Sequence, residues 1–375
     1  MPGASRRQPV AEPRDCFAVS APGLEAVTAA ELVALGATID TTEPGGVSFR
    51  ADAALLYRAN LELRTASRVV KRVAHFDART WFELERHAKK IPWSTLLGAG
   101  MVPDFEVTSR KSKLYHNRGI AERLERVVGS GAKAADVDPS RVARFIVRAV
   151  RDHFTISADA SGELLHRRGY RLETAKAPLR ETLAAAMLLG CEWNGGTPLL
   201  DPFCGSGTIP IEAALLARRI PPGLRRRFAF ETWPDFDATL WARVRADAES
   251  RIRATAPVII GSDRDAGAIE AACANAARAG VSADVDLRHV ALSAVDGLPG
   301  RGLLLTNPPY GARIGEEKAL RNLYAQLGNV ARSQLPGWRI ALLGANPRLE
   351  GQVGVSLREI WRSSNGGIPV HLVAT

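Results

Sequence analysis

Leu199-Leu200-Asp201-Pro202-Phe203-Cys204-Gly205-Ser206-Gly207-Thr208 is the stretch that best indicates the type of fold. In it, an apolar strand runs through a tight glycine loop directly into a predicted helix. In open α/β sheets, ligands bind at the carboxyl ends of the strands, where glycines let a ligand approach the backbone. A dinucleotide fingerprint needs a third glycine where this chain has Pro210, and the pattern of a nucleotide phosphate loop is absent. The loop therefore fits the amino-acid end of a ligand, with Asp201 available for an ammonium group; a plain turn is the alternative.

Strand-like runs alternate with helical patterns around this loop, after Pro178. The predicted strands are Thr197–Leu200, Val258–Gly261, Arg288–Leu292, Gly302–Thr306, Trp338–Leu343, Val355–Trp361 and Ile368–Val373. Such alternation predicts an α/β fold, in which helices cover both faces of a mostly parallel sheet. The last two runs, with the tight-turn signal Asn365-Gly366, predict an antiparallel hairpin at one edge.

The N-terminal half predicts a mixture of strands and helices. Residues 17–36 predict a short strand, a Pro-Gly turn and an amphipathic helix. Further along, Arg141–His153 predicts a helix, and Phe154–Ala158 with Leu164–Arg171 predicts a hairpin. This half is therefore an α+β region.

Length and composition exclude several classes of protein. Hydrophobic residues make up 46% and charged residues 24% of 375, which is ordinary for a globular protein of two or three domains. No apolar run is long enough to span a membrane, and the charged, Pro-rich start is not a signal peptide; residues 1–15 are predicted to be a disordered leader. Four cysteines without a Cys-x-x-Cys pair argue against a zinc site or a disulfide scaffold, and they favour the cytoplasm.

Charge is distributed unevenly along the chain, which has 50 Lys and Arg against 40 Asp and Glu. Residues 1–180 hold 29 basic and 21 acidic side chains, whereas residues 181–375 hold 21 and 19. A basic surplus confined to one half favours a polyanionic partner for that half. The alternative is a solvated surface in an arginine-rich proteome, because net charge alone reports on non-specific binding.

Acidic residues follow the second predicted strand of the C-terminal half, in Ser262-Asp263-Arg264-Asp265. A carboxylate at this strand end holds ribose hydroxyls in nucleoside-binding sheets. Aspartate also caps helices well. We therefore predict that Asp263 binds a ribose and that Asp265 caps the next helix.

Asn307-Pro308-Pro309-Tyr310, at the end of the predicted strand Gly302–Thr306, is the most specific feature of the chain. The prolines fix the backbone and remove its N–H groups, so carbonyls project rigidly. Asn307 adds a side-chain acceptor, and two acceptors together can hold both hydrogens of an exocyclic amine. Tyr310 can stack on the base that carries the amine; a rigid turn that only ends the strand is the alternative.

Three motifs in this order resemble those of class I S-adenosylmethionine-dependent amino methyltransferases: DPFCGSGT (201–208), GSDRD (261–265) and NPPYG (307–311). Stretches 17–36, 109–117 (SRKSKLYHN) and 160–171 (ASGELLHRRGYR) with 177–189 (APLRETLAAAMLL) resemble RNA methyltransferases that contain a THUMP domain. With Ala-Arg after NPPYG, the chain is similar to the bacterial family that methylates guanine N2 in 23S ribosomal RNA, whose close relatives act on tRNA.

The resemblance implies a domain organisation and a cofactor. A ferredoxin-like plus THUMP RNA-binding region would occupy residues 16–172, and a Rossmann-like methyltransferase domain with S-adenosylmethionine as cofactor would occupy residues 173–375. No metal is needed, because the sulfonium methyl is already activated. The expected partner is RNA, 23S rRNA first and tRNA second, with no membrane partner and no prediction of oligomeric state.

The resemblance also implies roles for individual residues. Asp201, Gly205, Gly207 and Thr208 would line the methionine end of the cofactor, with Asp263 on its ribose. Asn307 and the backbone of Pro308 would orient the target amine, and Tyr310 would stack on the guanine. The family usually has an Asp after the third strand for the adenine amine; here Ser293 takes that role, or Asp296 does after a shift in register.

The basic residues complete the expected site. The predicted RNA contacts are Lys89, Lys90, Lys111, Lys113 and Arg118, with Arg168 and Arg171 of the Arg-Gly-Tyr-Arg stretch near the cofactor or RNA entrance. Recognition by the N-terminal half is expected to rest on RNA shape and backbone. The insertion Pro221–Phe236 either adds a basic-aromatic contact through Arg225-Arg226-Arg227-Phe228 or packs against the protein with its arginines exposed.

Three other functions remain open at the level of the sequence. The same chemistry could act on tRNA, and the NPPY turn also permits a DNA adenine methyltransferase, although the N-terminal half does not favour one. The altered segment after the third strand leaves room for a non-catalytic RNA-binding or assembly factor. A Rossmann oxidoreductase is disfavoured by the missing third glycine.

Overall fold

The computed structural model describes residues 14–129, 132–172, 179–296, 298–310 and 317–375. Most of the predicted leader, residues 1–13, lies outside the described residues. Its last two residues, Arg14 and Asp15, instead begin the first strand, because they pair with Ala51 and Arg50. No helix in the described ranges has both the length and the hydropathy of a membrane span.

The N-terminal unit is built on a seven-stranded sheet with helices packed against it. Its elements are β1 (Arg14–Ser20), α1 (Glu25–Ala34), β2 (Thr38–Glu43), β3 (Gly46–Ala51), α2 (Ala53–Glu62), β4 (Ala66–Asp77), α3 (Trp81–Ala88), β5 (Val102–Arg110), α4 (Asn117–Val128), β6 (Val142–Val150) and β7 (His153–Asp159). The strand order is β2-β3-β1-β4-β7-β6-β5, and only β5 and β6 are parallel neighbours. This is an α+β unit, as predicted.

The prediction of a helix over Arg141–His153 is wrong, because most of this segment is strand β6. Buried Phe145, Val147 and Ala149 alternate with exposed Arg144 and Arg148, which is the period of a strand with one covered face. The predicted hairpin of Phe154–Ala158 with Leu164–Arg171 is also wrong in its second strand. Strand β7 pairs with β6 and β4, whereas residues 164–171 form no strand.

The C-terminal unit confirms the predicted Rossmann-like sheet with a terminal hairpin. Its elements are α5 (Glu181–Gly190), β8 (Leu199–Asp201), α6 (Thr208–Ala217), α7 (Ala238–Ser250), β9 (Ile259–Asp263), α8 (Ala266–Ala279), β10 (Asp286–His289), β11 (Leu303–Thr306), α9 (Glu317–Gln334), β12 (Arg339–Gly344), α10 (Pro347–Glu350), β13 (Arg358–Asn365) and β14 (Ile368–Ala374). The strand order is β10-β9-β8-β11-β12-β14-β13, with β14 antiparallel to both neighbours. The order reverses between β8 and β11, which is where such sheets bind ligands.

The insertion between α6 and β9 packs against the N-terminal unit. Phe228 and Phe230 are buried, and the ring of Phe230 stacks on Tyr57 of α2 with centroids 4.4 Å apart. Arg226 donates to the carbonyl oxygens of Glu163 and Leu164. Of the two alternatives, the structure therefore supports an insertion that packs against the protein, because the ring of Phe228 lies inside the core while Arg225 and Arg227 are exposed.

Residues of the N-terminal unit also pack against the C-terminal unit. Leu24, which precedes α1, and Tyr170 belong to the same buried cluster as α5 and α6. Gly23 lies so close to β13 that a Cβ there would be 1.7 Å from the carbonyl oxygen of Arg362. Each of these two buried clusters therefore contains residues of both units.

Candidate active site

The glycine loop after β8 takes a backbone that suits glycine. Gly205 and Gly207 have φ values of 51° and 83°, in the left-handed region. A Cβ at Gly205 would have no described atom within 4 Å, so this residue leaves open space at the strand end. A Cβ at Gly207 would lie 3.0 Å from that of Ala272, so this glycine allows α6 and α8 to pack. The first residue of α6, Thr208, is buried.

Asp201, the last residue of β8, is almost fully buried. Its Oδ1 accepts hydrogen bonds from Thr306 Oγ1 at 2.6 Å and from the amide of Phe203 at 3.1 Å. Burial, with a smaller contribution from the charge of Asp263, raises the pKa of Asp201 to about 7, although the hydrogen bonds from Thr306 and Phe203 act in the opposite direction. Asp201 therefore joins the glycine loop to the end of β11, and its charge is sensitive to what binds beside it.

The two carboxylates after β9 have different positions. Asp265 is the N-cap of α8, where its Oδ1 accepts from the amide of Gly267 at 2.9 Å. Asp263 Oδ2 accepts from the amide of Gly205 at 3.1 Å, which brings this carboxylate to the glycine loop. The structure thus places Asp265 as the predicted cap and Asp263 beside the open space at Gly205.

The third strand ends earlier than the sequence predicts, at His289 instead of Leu292. The chain leaves the sheet because Leu292 is buried on the face that α9 covers. Ser293 is exposed in a short turn, whereas Asp296 lines a cavity of about 40 Å³ together with Ser262 and Arg288. Of the two residues predicted for the adenine, Asp296 is thus the one that lies against a cavity.

His289 also lies in this region, although the sequence did not single it out. The register of β10 on β9 pairs it with Asp263, and its Nε2 is 3.0 Å from the carbonyl oxygen of Arg264. No motif indicates it, because its position follows from the pairing of two strands.

The Asn-Pro-Pro-Tyr turn lies directly beyond β11. Asn307 Oδ1 is buried and has no hydrogen-bond partner among the described residues. Pro308 is buried, Tyr310 is half-buried, and its hydroxyl accepts from Asn365 Nδ2 at 3.0 Å. The turn therefore holds one unused acceptor beside an aromatic ring that is fixed at its hydroxyl end.

Asn365 positions Tyr310, although the sequence indicated Asn365 only as part of a tight turn. It ends β13 and pairs with Ile368, so Gly366 and Gly367 form the turn itself, both with positive φ. Asn365 and Tyr310 are 55 residues apart in the chain. Only the folding of the terminal hairpin beside β12 brings them together.

Arg168 and Arg171, two of the predicted RNA contacts, are engaged by the protein. The Arg168 side chain is 3% exposed, lies 3.6 Å from Glu212, and donates to the carbonyl oxygens of Arg64 and Leu165. Arg171 pairs with the buried Glu181 at 3.1 Å. The prediction that these two arginines contact RNA is wrong, because their donors face buried carboxylates and carbonyls of the protein.

The other predicted RNA contacts lie on the surface of the N-terminal unit. Lys111, Lys113 and Arg118 occupy one corner, made by the β5–α4 loop and the first turn of α4. Lys89 and Lys90 follow the C-terminal end of α3. All five are exposed, and none belongs to the strand-end site of the second sheet. In the described ranges, no cluster of His, Cys, Asp or Glu could hold a metal ion.

Comparison with known proteins identifies the family. Residues 168–372 match the family described as "RMKL-like, methyltransferase domain", and residues 15–70 match the "RlmL ferredoxin-like domain". The "Ribosomal RNA large subunit methyltransferase K/L" of Syntrophotalea carbinolica is 37% identical over 375 residues, 95% of this chain and 53% of that protein. "Putative RNA methyltransferase slr0064" of Synechocystis is 35% identical over 368 residues, 96% of each. The chain thus spans about half of the first relative and nearly all of the second.

A solved structure extends the match to the arrangement of both units. SMU.472, described as a putative methyltransferase complexed with SAH, has a TM-score of 0.87 at 31% identity, and the match covers 97% of this chain and 98% of that one. The predicted family is thereby confirmed, together with the fold class and S-adenosylmethionine as the cofactor. Both the unit with carboxylates and glycines at its strand ends and the N-terminal α+β unit match, and this chain belongs to the RMKL-like methyltransferase family.

Proposed function

We propose that this protein transfers a methyl group from S-adenosylmethionine to the exocyclic N2 amine of a guanine in 23S ribosomal RNA. The observation that carries the proposal is Asn307 Oδ1, a buried acceptor without a described partner at the end of β11. Buried polar atoms are nearly always paired, so an unpaired one beside a ligand site favours a donor on the ligand. Relatives named for ribosomal RNA and RNA methylation support RNA as the substrate. We place the reaction in the cytoplasm, as the four unpaired cysteines favour.

The residues at the strand ends fit the cofactor. Gly205 leaves space over the loop, and Asp263 beside it can accept ribose hydroxyls. Asp201 offers a carboxylate to the ammonium group, Gly207 and Thr208 form the start of α6 at the methionine end, and Asp296 is our choice over Ser293 for the adenine. S-adenosylmethionine supplies an activated methyl group when it is bound.

The turn after β11 would handle the amine. Asn307 Oδ1 and the carbonyl oxygen of Pro308 accept the two amine hydrogens, which directs the nitrogen lone pair toward the methyl group. Tyr310 stacks on the guanine, and Asn365 holds the Tyr310 hydroxyl so that the ring keeps its orientation. The guanine must leave its stack at a cost of a few kcal/mol, which such stacking offsets in part.

Cofactor affinity is expected to fall as the pH is lowered through about 7. Burial raises the pKa of Asp201 to about 7, so below this pH the carboxyl takes up a proton and loses its attraction for the ammonium group. Each pH unit below that pKa should weaken binding by up to about tenfold, since the proton must leave before the ion pair forms. Calorimetric titration with S-adenosylmethionine between pH 5.5 and 8 measures this.

Asp201→Asn provides the control for the pH dependence. It removes the carboxyl of Asp201 and leaves the neighbouring Asp263 and His289 in place. The variant should bind weakly with an affinity that does not change with pH. The same slope in the variant would assign the titration to another group and remove Asp201 from the ammonium site.

The double variant Lys111→Ala, Lys113→Ala is expected to weaken RNA binding and leave cofactor affinity within about twofold. Each lysine that neutralises a phosphate contributes about one unit to the salt dependence of the binding constant, so the slope should fall by about two. Filter binding of ribosomal RNA at several salt concentrations measures both quantities. Arg358→Ala, which removes an exposed cation from the edge strand β13, is the control. Unchanged RNA affinity in the double variant would remove this corner from the RNA site.

The function itself is tested by transfer of labelled methyl from S-adenosylmethionine to rRNA, tRNA and DNA in parallel, followed by nucleoside mass spectrometry. N2-methylguanosine in rRNA alone supports the proposal. The same nucleoside in tRNA alone assigns the tRNA function, and N6-methyladenine in DNA assigns the DNA function. No transfer to any of them, including unmodified ribosomal precursors, would favour a non-catalytic RNA-binding factor.

A further inference from the structure

Tyr115, in the loop between β5 and α4, is 78% exposed. Removing the apolar surface of a large aromatic ring from water is favourable. An exposed ring can therefore gain this free energy when a ligand covers it. Its hydroxyl has no hydrogen-bond partner in the described part of the chain. Nothing in the described structure therefore uses this ring.

The backbone on either side of Tyr115 is held in place. Leu114 is buried, and its carbonyl oxygen accepts from Ser109 Oγ at 2.7 Å. His116 is the N-cap of α4, where its Nδ1 accepts from the amide of Gly119 at 3.0 Å. Since both neighbours are fixed, Tyr115 loses little backbone entropy when its ring is covered.

The surface around this loop is positively charged. It includes the exposed side chains Arg110, Lys111, Lys113, Arg148 and Arg151, none of which has an ion-pair partner among the described residues. Asp152 lies among them, but its oxygens are engaged by the amide of Lys113 at 2.7 Å and by Arg79 at 3.3 Å. We call this set of five cations with Tyr115 the basic tip. Unpaired cations around an aromatic ring match the phosphates and bases of a nucleic acid strand.

A second exposed ring lies on the helix that packs against α4. Phe82, in the first turn of α3, is 73% exposed. Its neighbour Trp81 lies against the first turn of α4, where a Cβ on Gly119 would be 3.4 Å from the Trp81 ring. Phe82 is therefore next in the chain to a residue that packs against the start of α4, the helix that follows the Tyr115 loop.

We propose that the basic tip binds an unpaired segment of the RNA, with Tyr115 stacked on one of its bases and the five cations on its phosphates. This inference rests on the proposed function, and it changes the expectation that the N-terminal half recognises only RNA shape and backbone. A duplex keeps its bases stacked on each other, so a ring can stack only on a base that is unpaired. Stacking tolerates any base, which makes Tyr115 a source of affinity more than of sequence preference.

The test is fluorescence anisotropy with two labelled probes, a single-stranded RNA of about twelve nucleotides and a hairpin duplex of the same composition, a length that matches common single-strand sites. Tyr115→Ala should weaken binding of the single strand by about tenfold or more, with the slope of affinity against salt unchanged. Tyr115→Phe should bind like the wild type, because it keeps the ring. Lys113→Ala should lower the salt slope by about one on both probes.

Four results would overturn the inference: no binding of the single strand by the wild type, no loss of affinity in Tyr115→Ala, an equal loss on the duplex, or an equal loss in Tyr115→Phe. Because Tyr115 is exposed, all variants should unfold at the wild-type temperature, which checks that only the surface has changed. The assay needs no methyl transfer. A wild type that fails to methylate RNA but loses single-strand binding in Tyr115→Ala refutes the proposed function and keeps the inference. If the wild type methylates RNA while Tyr115→Ala binds the single strand normally, the inference is refuted and the proposed function is kept.

Discussion

Asn307→Ala is expected to lower kcat for methyl transfer by about a hundredfold to a thousandfold, the size of effect that follows loss of one preorganised polar group in an active site. Cofactor affinity should stay within about threefold. The variant removes the buried acceptor that has no described partner, so the amine would lose one of two groups that orient its nitrogen. Single-turnover transfer of labelled methyl to RNA, alongside calorimetry with S-adenosylmethionine, separates the two effects.

Asn307→Asp is the matched variant for this prediction. A carboxylate keeps an acceptor at nearly the same place, so it should retain more activity than alanine. If Asn307→Ala lost cofactor binding and activity together, Asn307 would be a cofactor or structural residue, and its role toward the amine would be withdrawn.

Arg168→Ala is expected to lower the free energy of unfolding by about 3–5 kcal/mol, as is usual when one member of a buried ion pair is removed. The Arg168 side chain is 3% exposed and that of Glu212 is fully buried, 3.6 Å away. Without the guanidinium, Glu212 keeps a hydrogen bond from the hydroxyl of Tyr170, at 3.0 Å, and the more distant charge of Arg64. The carbonyl oxygens of Arg64 and Leu165 would also lose their donor. Urea unfolding followed by circular dichroism measures the change.

The neighbouring arginine is the control for this second prediction. Arg167 is exposed, and its ion-pair partner in the described part of the chain is the exposed Glu163, so Arg167→Ala should change stability by less than about 0.5 kcal/mol. An Arg168→Ala protein with wild-type stability and weakened RNA binding would restore Arg168 as an RNA contact.

Much of the fold and site could be predicted because the signals are local. The turn of the glycine loop needs residues that accept positive φ, and Gly205 and Gly207 provide it within one strand–loop–helix segment. The helix cap by Asp265 involves amides only two and three residues away. Because such features depend on neighbouring residues, the amino-acid sequence was enough to predict the Rossmann-like unit, the order of its motifs and the family.

Features that depend on residues distant in the chain could be recognised only once the chain was folded. The segment of strand β6 is rich in apolar residues that would also suit a helix, and its pairing with β5 and β7 selects the extended form. The sequence marks Arg168 as a basic residue near the site, but burial beside Glu212 gives it an internal role. Asn365 reaches Tyr310 only through the terminal hairpin. In each case, burial and pairing are set by elements that meet only when both sheets have formed.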